Sequence, residues 1–149
     1  MAADRSYIAE NDREHRRLEA LAGKLDDAAL SRALPAGWTV AGVLAHLAFW
    51  DQRIVVLVEL LKRGAAVPTE NAIDVDWIND AAKPTQLALP PRRAATLAVE
   101  TARAADHAVA TLSDELIAKN AAIGSPINLR RAEHRREHLD EIEQTLGRG

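Results

Sequence analysis

Three histidines have the residue type and spacing of a metal site. His46 lies inside the apolar stretch WTVAGVLAHLAFWDQR (38–53), and His134 and His138 lie four residues apart in AEHRREHLDEIEQTL (132–146). Two imidazoles one helical turn apart can bind a single ion, and a third from a facing helix completes an open face of three nitrogens. Three neutral imidazoles suit zinc, nickel or ferrous iron, and they leave the charge of the ion uncancelled. That charge makes a bound water or thiol nucleophilic near neutral pH.

Each of these signals also has a plainer interpretation. A single histidine on an apolar face is more often a core residue that is hydrogen-bonded to a carbonyl or carboxylate. His134 and His138 stand among glutamates and are also compatible with a solvated, charged helix face. The two remaining candidates, His15 and His107, have no partner at ligand spacing and are predicted to be surface or edge residues. The residue types alone therefore leave both a metal site and a structural role open.

Helical periodicity predicts where the three side chains lie. His46 shares the apolar stripe of its helix with Leu47 and Ile54, so its ring should point into the core. On the later helix, His138 falls at the edge of the apolar arc and His134 lies further out. His134 and His138 are therefore predicted to lie at the border of the core and not at its centre.

Length and composition indicate a single globular domain spanning 1–149. Of the 149 residues, 48% are hydrophobic and 28% are charged, and the net charge of -3 is spread over interleaved acidic and basic residues. With no basic face, nucleic acid is not expected as a partner. No signal peptide and no run of about 20 uncharged apolar residues is visible, which predicts a cytoplasmic protein and no membrane association.

Cysteine is absent from the sequence. Disulfides, thiolate metal sites and a cysteine nucleophile are thereby excluded together. Any thiol chemistry in this protein would need a thiol supplied from outside.

The elements that must position the histidines are predicted to be all helical, because alternating strand patterns are missing and helix formers recur at helical spacing. Thr39 is the predicted N-cap of the second helix and Gly64 its end, while Ser125 and Pro126 open the last helix. The predicted principal helices cover about 4–22, 39–64, 90–112 and 125–147. A weaker helical piece is expected at 26–34, and the long connection 65–90 should contain one short helix capped by Asp74. These elements predict an all-α four-helix bundle with a long connection between helices 2 and 3.

Several polar and aromatic residues are candidate helpers. Arg131 and Arg135 lie close to the apolar arc and can hold an anionic substrate, although snorkelling stems and ion pairs with neighbouring glutamates are the favoured interpretation. Trp50 and Trp77 are predicted to pack in the core or to form a pocket wall. For Asn79, a turn or cap role is the simplest prediction.

Three segments resemble the DinB-like superfamily, which includes thiol-dependent maleylpyruvate isomerase N-terminal and bacillithiol-transferase-like proteins. They are WTVAGVLAHLAFWD, VDWINDAAKP and EHRREHLDEIEQ, and the resemblance covers almost the whole chain. It implies a four-helix bundle, often a homodimer, with a divalent metal held by a histidine of the second helix and a pair on the fourth. The matching positions are His46, His134 and His138. The resemblance also implies a low-molecular-weight thiol cosubstrate such as mycothiol or bacillithiol. Three imidazole ligands make zinc or nickel the expected metal.

Three hypotheses about function follow. The first is a metal-dependent transferase or hydrolase that acts on a small electrophilic substrate, with the metal activating a thiol or water. The second is a non-catalytic metal-binding or stress-associated module that uses the same histidines. The third is a purely structural bundle whose histidines do not meet.

Overall fold

The protein is helical in the computed structural model, which describes residues 2–69 and 72–147, the side chains of residues 72 and 73 excepted. This part of the chain contains seven α-helices and no strand, with one isolated β-bridge between Ala33 and Thr39. The helices are α1 (Tyr7–Lys24), α2 (Asp27–Leu30), α3 (Val40–Lys62), α4 (Ala72–Ala88), α5 (Pro91–Ala110), α6 (Asp114–Ala122) and α7 (Arg131–Gly147). The all-α prediction is therefore confirmed.

Helix α3 is central to the fold and begins where the sequence predicts. The Thr39 side chain accepts a hydrogen bond from the backbone N–H of Gly42 at 2.9 Å, as expected of an N-cap. The helix ends at Lys62, and Gly64 then adopts a left-handed φ of 72°, which glycine tolerates without strain. Within the described residues, α3 is the one helix long and apolar enough to cross a membrane. Its most apolar stretch of 18 residues is 67% buried inside the protein, as in the core helix of a globular protein.

Helix α5 packs closely against α3 because its inner face consists of alanines. Ala94, Ala98, Ala102 and Ala105 are all completely buried. Small side chains at successive turns let two helix backbones approach each other, and α3 and α5 share an extensive contact. This contact fixes the position of α3 within the core.

Helices α1 and α7 complete the packing around α3 and α5. Helix α1 lies against both α5 and α7, and α7 in turn contacts α3. One face of α1 is buried, and Leu18 on this face is fully enclosed. The Asn11 side chain donates to the Leu129 carbonyl and accepts from the Ala132 N–H at the start of α7. The structure therefore places α3 and α7, which carry the three histidines, side by side.

The connection between α3 and α5 is more helical than predicted. In place of one short helix capped by Asp74, it contains the 17-residue helix α4, and Asp74 lies in the first turn of that helix. Pro84 stands inside α4 and has no N–H to donate to the carbonyl of Asp80. The proline and the polar residues around it resemble a loop in sequence, which is why the prediction was wrong here.

The segment between α5 and α7 also differs from the prediction. The sequence interpretation placed no helix at 114–122, whereas the structure has α6, whose N-cap Ser113 accepts a hydrogen bond from the Leu116 N–H. The predicted start of the last helix at Ser125 and Pro126 is wrong, because α7 begins at Arg131 and Ser125, with a left-handed φ of 54°, lies in the connection before it. The Asn120 side chain instead hydrogen-bonds the backbone of Ile127 and holds this segment as a loop.

Candidate metal centre

Helices α3 and α7 bring His46, His134 and His138 together. One ligand atom from each ring lies within 4.8 Å of the others, and the Nε2 atoms of His46 and His134 are 3.1 Å apart. The three ring centroids form a nearly equilateral triangle with sides of 4.8, 4.9 and 5.0 Å. Imidazole nitrogens on one tetrahedral zinc ion lie about 3.3 Å apart, since each Zn–N bond is about 2.0–2.1 Å. Three histidines in this arrangement can therefore hold a metal ion.

The surroundings keep two of the imidazoles neutral at physiological pH. Burial, followed by the charge of His138, lowers the pKa of His46 to about 4. Burial is also the largest cause that lowers the pKa of His134 to about 3, with smaller contributions from His138, His46, Arg131 and Arg135. A neutral imidazole has a free lone pair for a metal, so protons do not compete for these two rings near pH 7.

The far sides of the rings are partly supported by neighbours. The Trp38 ring packs against His46 with centroids 5.7 Å apart. The Nδ1 atom of His138 lies 3.6 Å from a carboxylate oxygen of Glu141, which is close enough for electrostatic attraction but too long for a hydrogen bond. A carboxylate near the second ring nitrogen is a common way of orienting a metal-binding histidine.

The triad forms the base of an open pocket of about 900 Å³. One wall is formed by Trp38 and Trp50, and the Trp50 indole N–H donates to the Asn79 side chain at 2.7 Å. Lys83 of α4 lies over the Trp38 ring at 4.9 Å and donates to the Ala36 carbonyl, so a cation stands at the pocket wall. The pocket is large enough for a small molecule and has both aromatic and charged walls.

A chain of buried charges lies next to the histidines. Arg131 donates through Nε to Asp51 at 3.0 Å, and Arg135 donates to Asp51 at 3.4 Å and to both Asp106 oxygens at 2.5 and 2.8 Å. Arg131 and Arg135 are 5% and 1% exposed, and Asp51 is 2% exposed. Desolvation raises the pKa of Asp106 despite its pairing with Arg135. The two arginines and two aspartates connect α3, α5 and α7, and their charges sum to zero.

This cluster corrects the interpretation of the two arginines. Their partners are Asp51 and Asp106 from other helices, and both side chains are buried instead of snorkelling toward neighbouring glutamates. Sequence reasoning did not identify Asp51 as a partner. The available signal was a carboxylate inside an otherwise apolar helix, which is stable only when it is paired.

The remaining candidates divide between the pocket and the surface. Trp50 and Asn79 both line the pocket, and Asn79 lies within α4, so its predicted turn or cap role is wrong. Trp77 is 59% exposed and lies outside the pocket wall, so neither of its predicted roles holds. His15 and His107 line a separate cavity beside α1 and α5, away from the triad, and His107 is exposed.

The fold and the site define a class of protein. It is all-helical, and one buried and two half-buried histidines from two helices lie together at an open pocket. The chain belongs to the family described as the mycothiol maleylpyruvate isomerase N-terminal domain, whose model matches residues 12–142, and this is a DinB-like superfamily domain. The resemblance noted in the sequence is thereby confirmed. Comparisons with curated proteins and with solved structures gave no match.

Proposed function

We propose that this protein binds one divalent metal ion through His46, His134 and His138 and uses it to activate a thiol or water against a small electrophile. The observation that carries the proposal is the convergence of three imidazoles from α3 and α7, within 4.8 Å, at the base of the pocket. Zinc or nickel is the expected ion, because neutral imidazoles suit both. An ion bound there would lower the pKa of a coordinated thiol or water, making it a nucleophile near neutral pH.

The residues of the chain contribute binding and orientation. Trp38 and Trp50 offer an apolar wall for the body of a substrate, and Lys83 offers a positive charge for an anionic group. Asp51 holds Arg131 in place one helical turn before His134, so the start of the ligand-bearing helix is fixed by a buried ion pair. Because the sequence contains no cysteine, a thiol nucleophile would be a low-molecular-weight cosubstrate, and membership of the family favours mycothiol.

The proposal extends to the assembly. The contacts of α1 with α5 and α7, and of α3 with α5 and α7, support a four-helix bundle built from these four long helices. We further propose that the chain forms a single domain and acts as a homodimer in the cytoplasm. Light scattering of purified protein tests the dimer directly.

Metal content tests the first part of the proposal. Tag-free protein should carry about one equivalent of zinc or nickel by elemental analysis, and His46→Ala and His138→Ala should lose most of it. His107→Ala is the matched control, since this histidine is exposed and lies away from the triad. Equal metal content in all four proteins would refute the metal site and leave a structural bundle.

An activity assay tests the second part. The metal-loaded protein should conjugate a model electrophile such as monochlorobimane with mycothiol, bacillithiol or glutathione, and the rate should fall in His46→Ala. A hydrolysis assay with activated esters covers the alternative in which water is the nucleophile. Stoichiometric metal without turnover in either assay would contradict catalysis and leave a metal-binding module.

A further inference from the structure

Arg131 and Arg135 are both buried, but their guanidinium groups have different partners. Both terminal nitrogens of Arg135 are engaged, since Nη1 and Nη2 each donate to Asp106 and to a backbone carbonyl. Arg131 donates through Nε to Asp51, and its Nη1 and Nη2 atoms have no hydrogen-bond partner among the described residues. Arg131 therefore keeps two terminal nitrogens free for a ligand.

The free nitrogens of Arg131 are accessible from the pocket above the histidines. The side chain is 6% exposed, and neither Nη1 nor Nη2 is closed to solvent, in contrast to the Nε atom of Arg135. Arg131 lines the pocket together with Asn128 and His134, which stand three residues before and after it. A ligand in the pocket can therefore reach the guanidinium while the rest of the arginine stays buried.

The charge of Arg131 is less completely paired than that of Arg135. Desolvation is the largest influence on the pKa of Arg131 and lowers it, ahead of the attraction of Asp51, which raises it. For Arg135, the hydrogen bonds and charges of Asp106 and Asp51 together outweigh desolvation, and its pKa is raised. A buried cation that shares its one carboxylate with another arginine favours a second anion beside it.

Arg131 also lies close to the histidine triad. It stands one helical turn before His134, and side chains three residues apart on a helix are neighbours. Its charge contributes to the lowered pKa of His134, as expected of groups that are close. Trp38 and Trp50 form a wall of the same pocket. An anionic group on Arg131 thus leaves the remainder of a small ligand between the histidines and an apolar wall.

A carboxylate is the anion that best matches these donors. The two terminal nitrogens of a guanidinium can donate to the two oxygens of one carboxylate in parallel. A phosphate group accepts from the same donors but carries up to two charges, and Asp80, Glu137 and Glu141 also line the pocket and would repel it. A single negative charge is therefore the better fit.

We propose that Arg131 anchors the carboxylate of a small substrate in the pocket above the histidines, with Nη1 and Nη2 donating to its two oxygens. The Nε hydrogen bond to Asp51 holds the guanidinium in a fixed orientation for this contact. The inference deepens the proposed function and rests on it, because it names the class of electrophile that the same pocket takes. Arg131 acts in binding, while Arg135 connects the helices.

Benzoate and benzamide are matched probes, because they have the same shape and differ in the charge of one group. In a titration followed by ¹H–¹⁵N NMR, benzoate should bind at least about tenfold more tightly than benzamide, the effect of a charge-assisted hydrogen bond. Benzoate should also shift the side-chain Nε–H signal of Arg131 and the indole N–H signals of Trp38 and Trp50. Benzamide at equal occupancy should leave the Arg131 signal in place.

Variants at Arg131 separate anchoring from general attraction of anions. Arg131→Lys keeps a positive charge beside Asp51 but loses the pair of terminal nitrogens, so it should weaken benzoate at least about tenfold and leave benzamide within about threefold. Arg131→Met should weaken benzoate at least as much. Arg130→Lys is the matched control, because Arg130 pairs with Glu10 and does not line the pocket, and its benzoate affinity should stay within about threefold of wild type. Circular dichroism confirms that each variant is folded, and the Arg131 signal of the wild type decides if one is not.

Four results would overturn the proposal. They are equal affinity of the wild type for benzoate and benzamide, equal benzoate affinity in wild type and Arg131→Lys, tighter binding of phenyl phosphate than of benzoate, or a loss of benzoate binding in Lys83→Met without a loss in Arg131→Lys. The last result would assign the carboxylate to Lys83, the other cation of the pocket wall.

The titrations are run on zinc-loaded protein and on protein treated with a chelator, so that the anchor and the metal site are tested separately. Benzoate binding that depends on Arg131 in a protein that takes up no zinc would refute the metal proposal and leave the anchor. Stoichiometric zinc with benzoate binding that does not depend on Arg131 would refute the anchor and leave the metal proposal.

Discussion

Asp51 is the residue whose substitution tests the buried charges most directly. Among the described residues, its carboxylate is the one hydrogen-bonding partner of the Arg131 guanidinium and one of two carboxylate partners of Arg135. The three side chains are 3%, 6% and 1% exposed. Asp51→Asn keeps the shape but leaves one net positive charge in the interior. Breaking a buried pair in this way costs about 3–5 kcal/mol, a large share of the roughly 5–15 kcal/mol that stabilises a typical domain.

The assay is urea unfolding at pH 7, followed by circular dichroism with the metal content held constant. Asp12→Asn is the matched control, because Asp12 pairs with Arg16 on the surface, where the side chains are 54% and 79% exposed. We expect the control to change the free energy of unfolding by at most about 0.5 kcal/mol. The double variant Asp51→Asn/Arg131→Leu should recover part of the loss, since it removes the uncompensated guanidinium. If Asp51→Asn lowers the free energy of unfolding by less than about 1 kcal/mol, water must reach the charged cluster, and the predicted cost of an unpaired buried charge is wrong.

Three further predictions concern pH and backbone geometry. The lowered pKa values of His46 and His134, about 4 and about 3, lie below the unfolded value, so the unfolded chain takes up protons first as the pH falls. Metal-free protein should therefore lose about 2 kcal/mol of stability per imidazole between pH 7 and pH 5, and a flat profile of urea midpoints would contradict this. Gly42→Ala should destabilise by about 1 kcal/mol, since its Cβ would stand 2.7 Å from a terminal methyl of Leu87, 3.1 Å from the capping hydroxyl of Thr39 and 3.3 Å from the Trp38 ring. Gly23→Ala is the control, because a Cβ at Gly23 would meet no atom within 4 Å, and it should stabilise α1 by about 0.5–1 kcal/mol. Equal shifts in the melting temperatures of the Gly42→Ala and Gly23→Ala variants would exclude a close contact at Gly42. Ala36 has a φ of 61°, so Ala36→Gly should raise stability by about 0.5–1 kcal/mol, and a lower melting temperature would refute the assigned strain.

Features that depend on local sequence were predictable. The cap at Thr39 and the stop at Gly64 follow from the side chains at those positions, and the structure has both. The inward direction of His46 follows from helical periodicity, and the residue is 8% exposed. These predictions succeeded because the physical cause lies within a few residues of its effect.

Features that depend on distant partners were not predictable from one sequence. Arg135 looked like a surface arginine at the edge of the apolar arc, whereas its carboxylate partners come from α3 and α5, 84 and 29 positions away. Helix α4 was underestimated because Pro84 is a helix breaker in isolation, while contact with α3 favours the helical state in the folded protein. Ser125 resembled a cap, but the Asn120 side chain holds the following backbone in a loop. In each case tertiary contacts outweighed the local preference.

The apolar character of α3 also affects how the chain behaves before it is folded. Helix α3 is long and apolar enough to cross a membrane. In the native state, the neighbouring helices bury 67% of its most apolar stretch, and before folding this stretch is uncovered. A partly folded chain therefore exposes a largely apolar segment of 23 residues, which promotes aggregation. Substitutions that loosen the contacts of α3 should reduce the yield of soluble protein during expression well before they visibly alter the native structure.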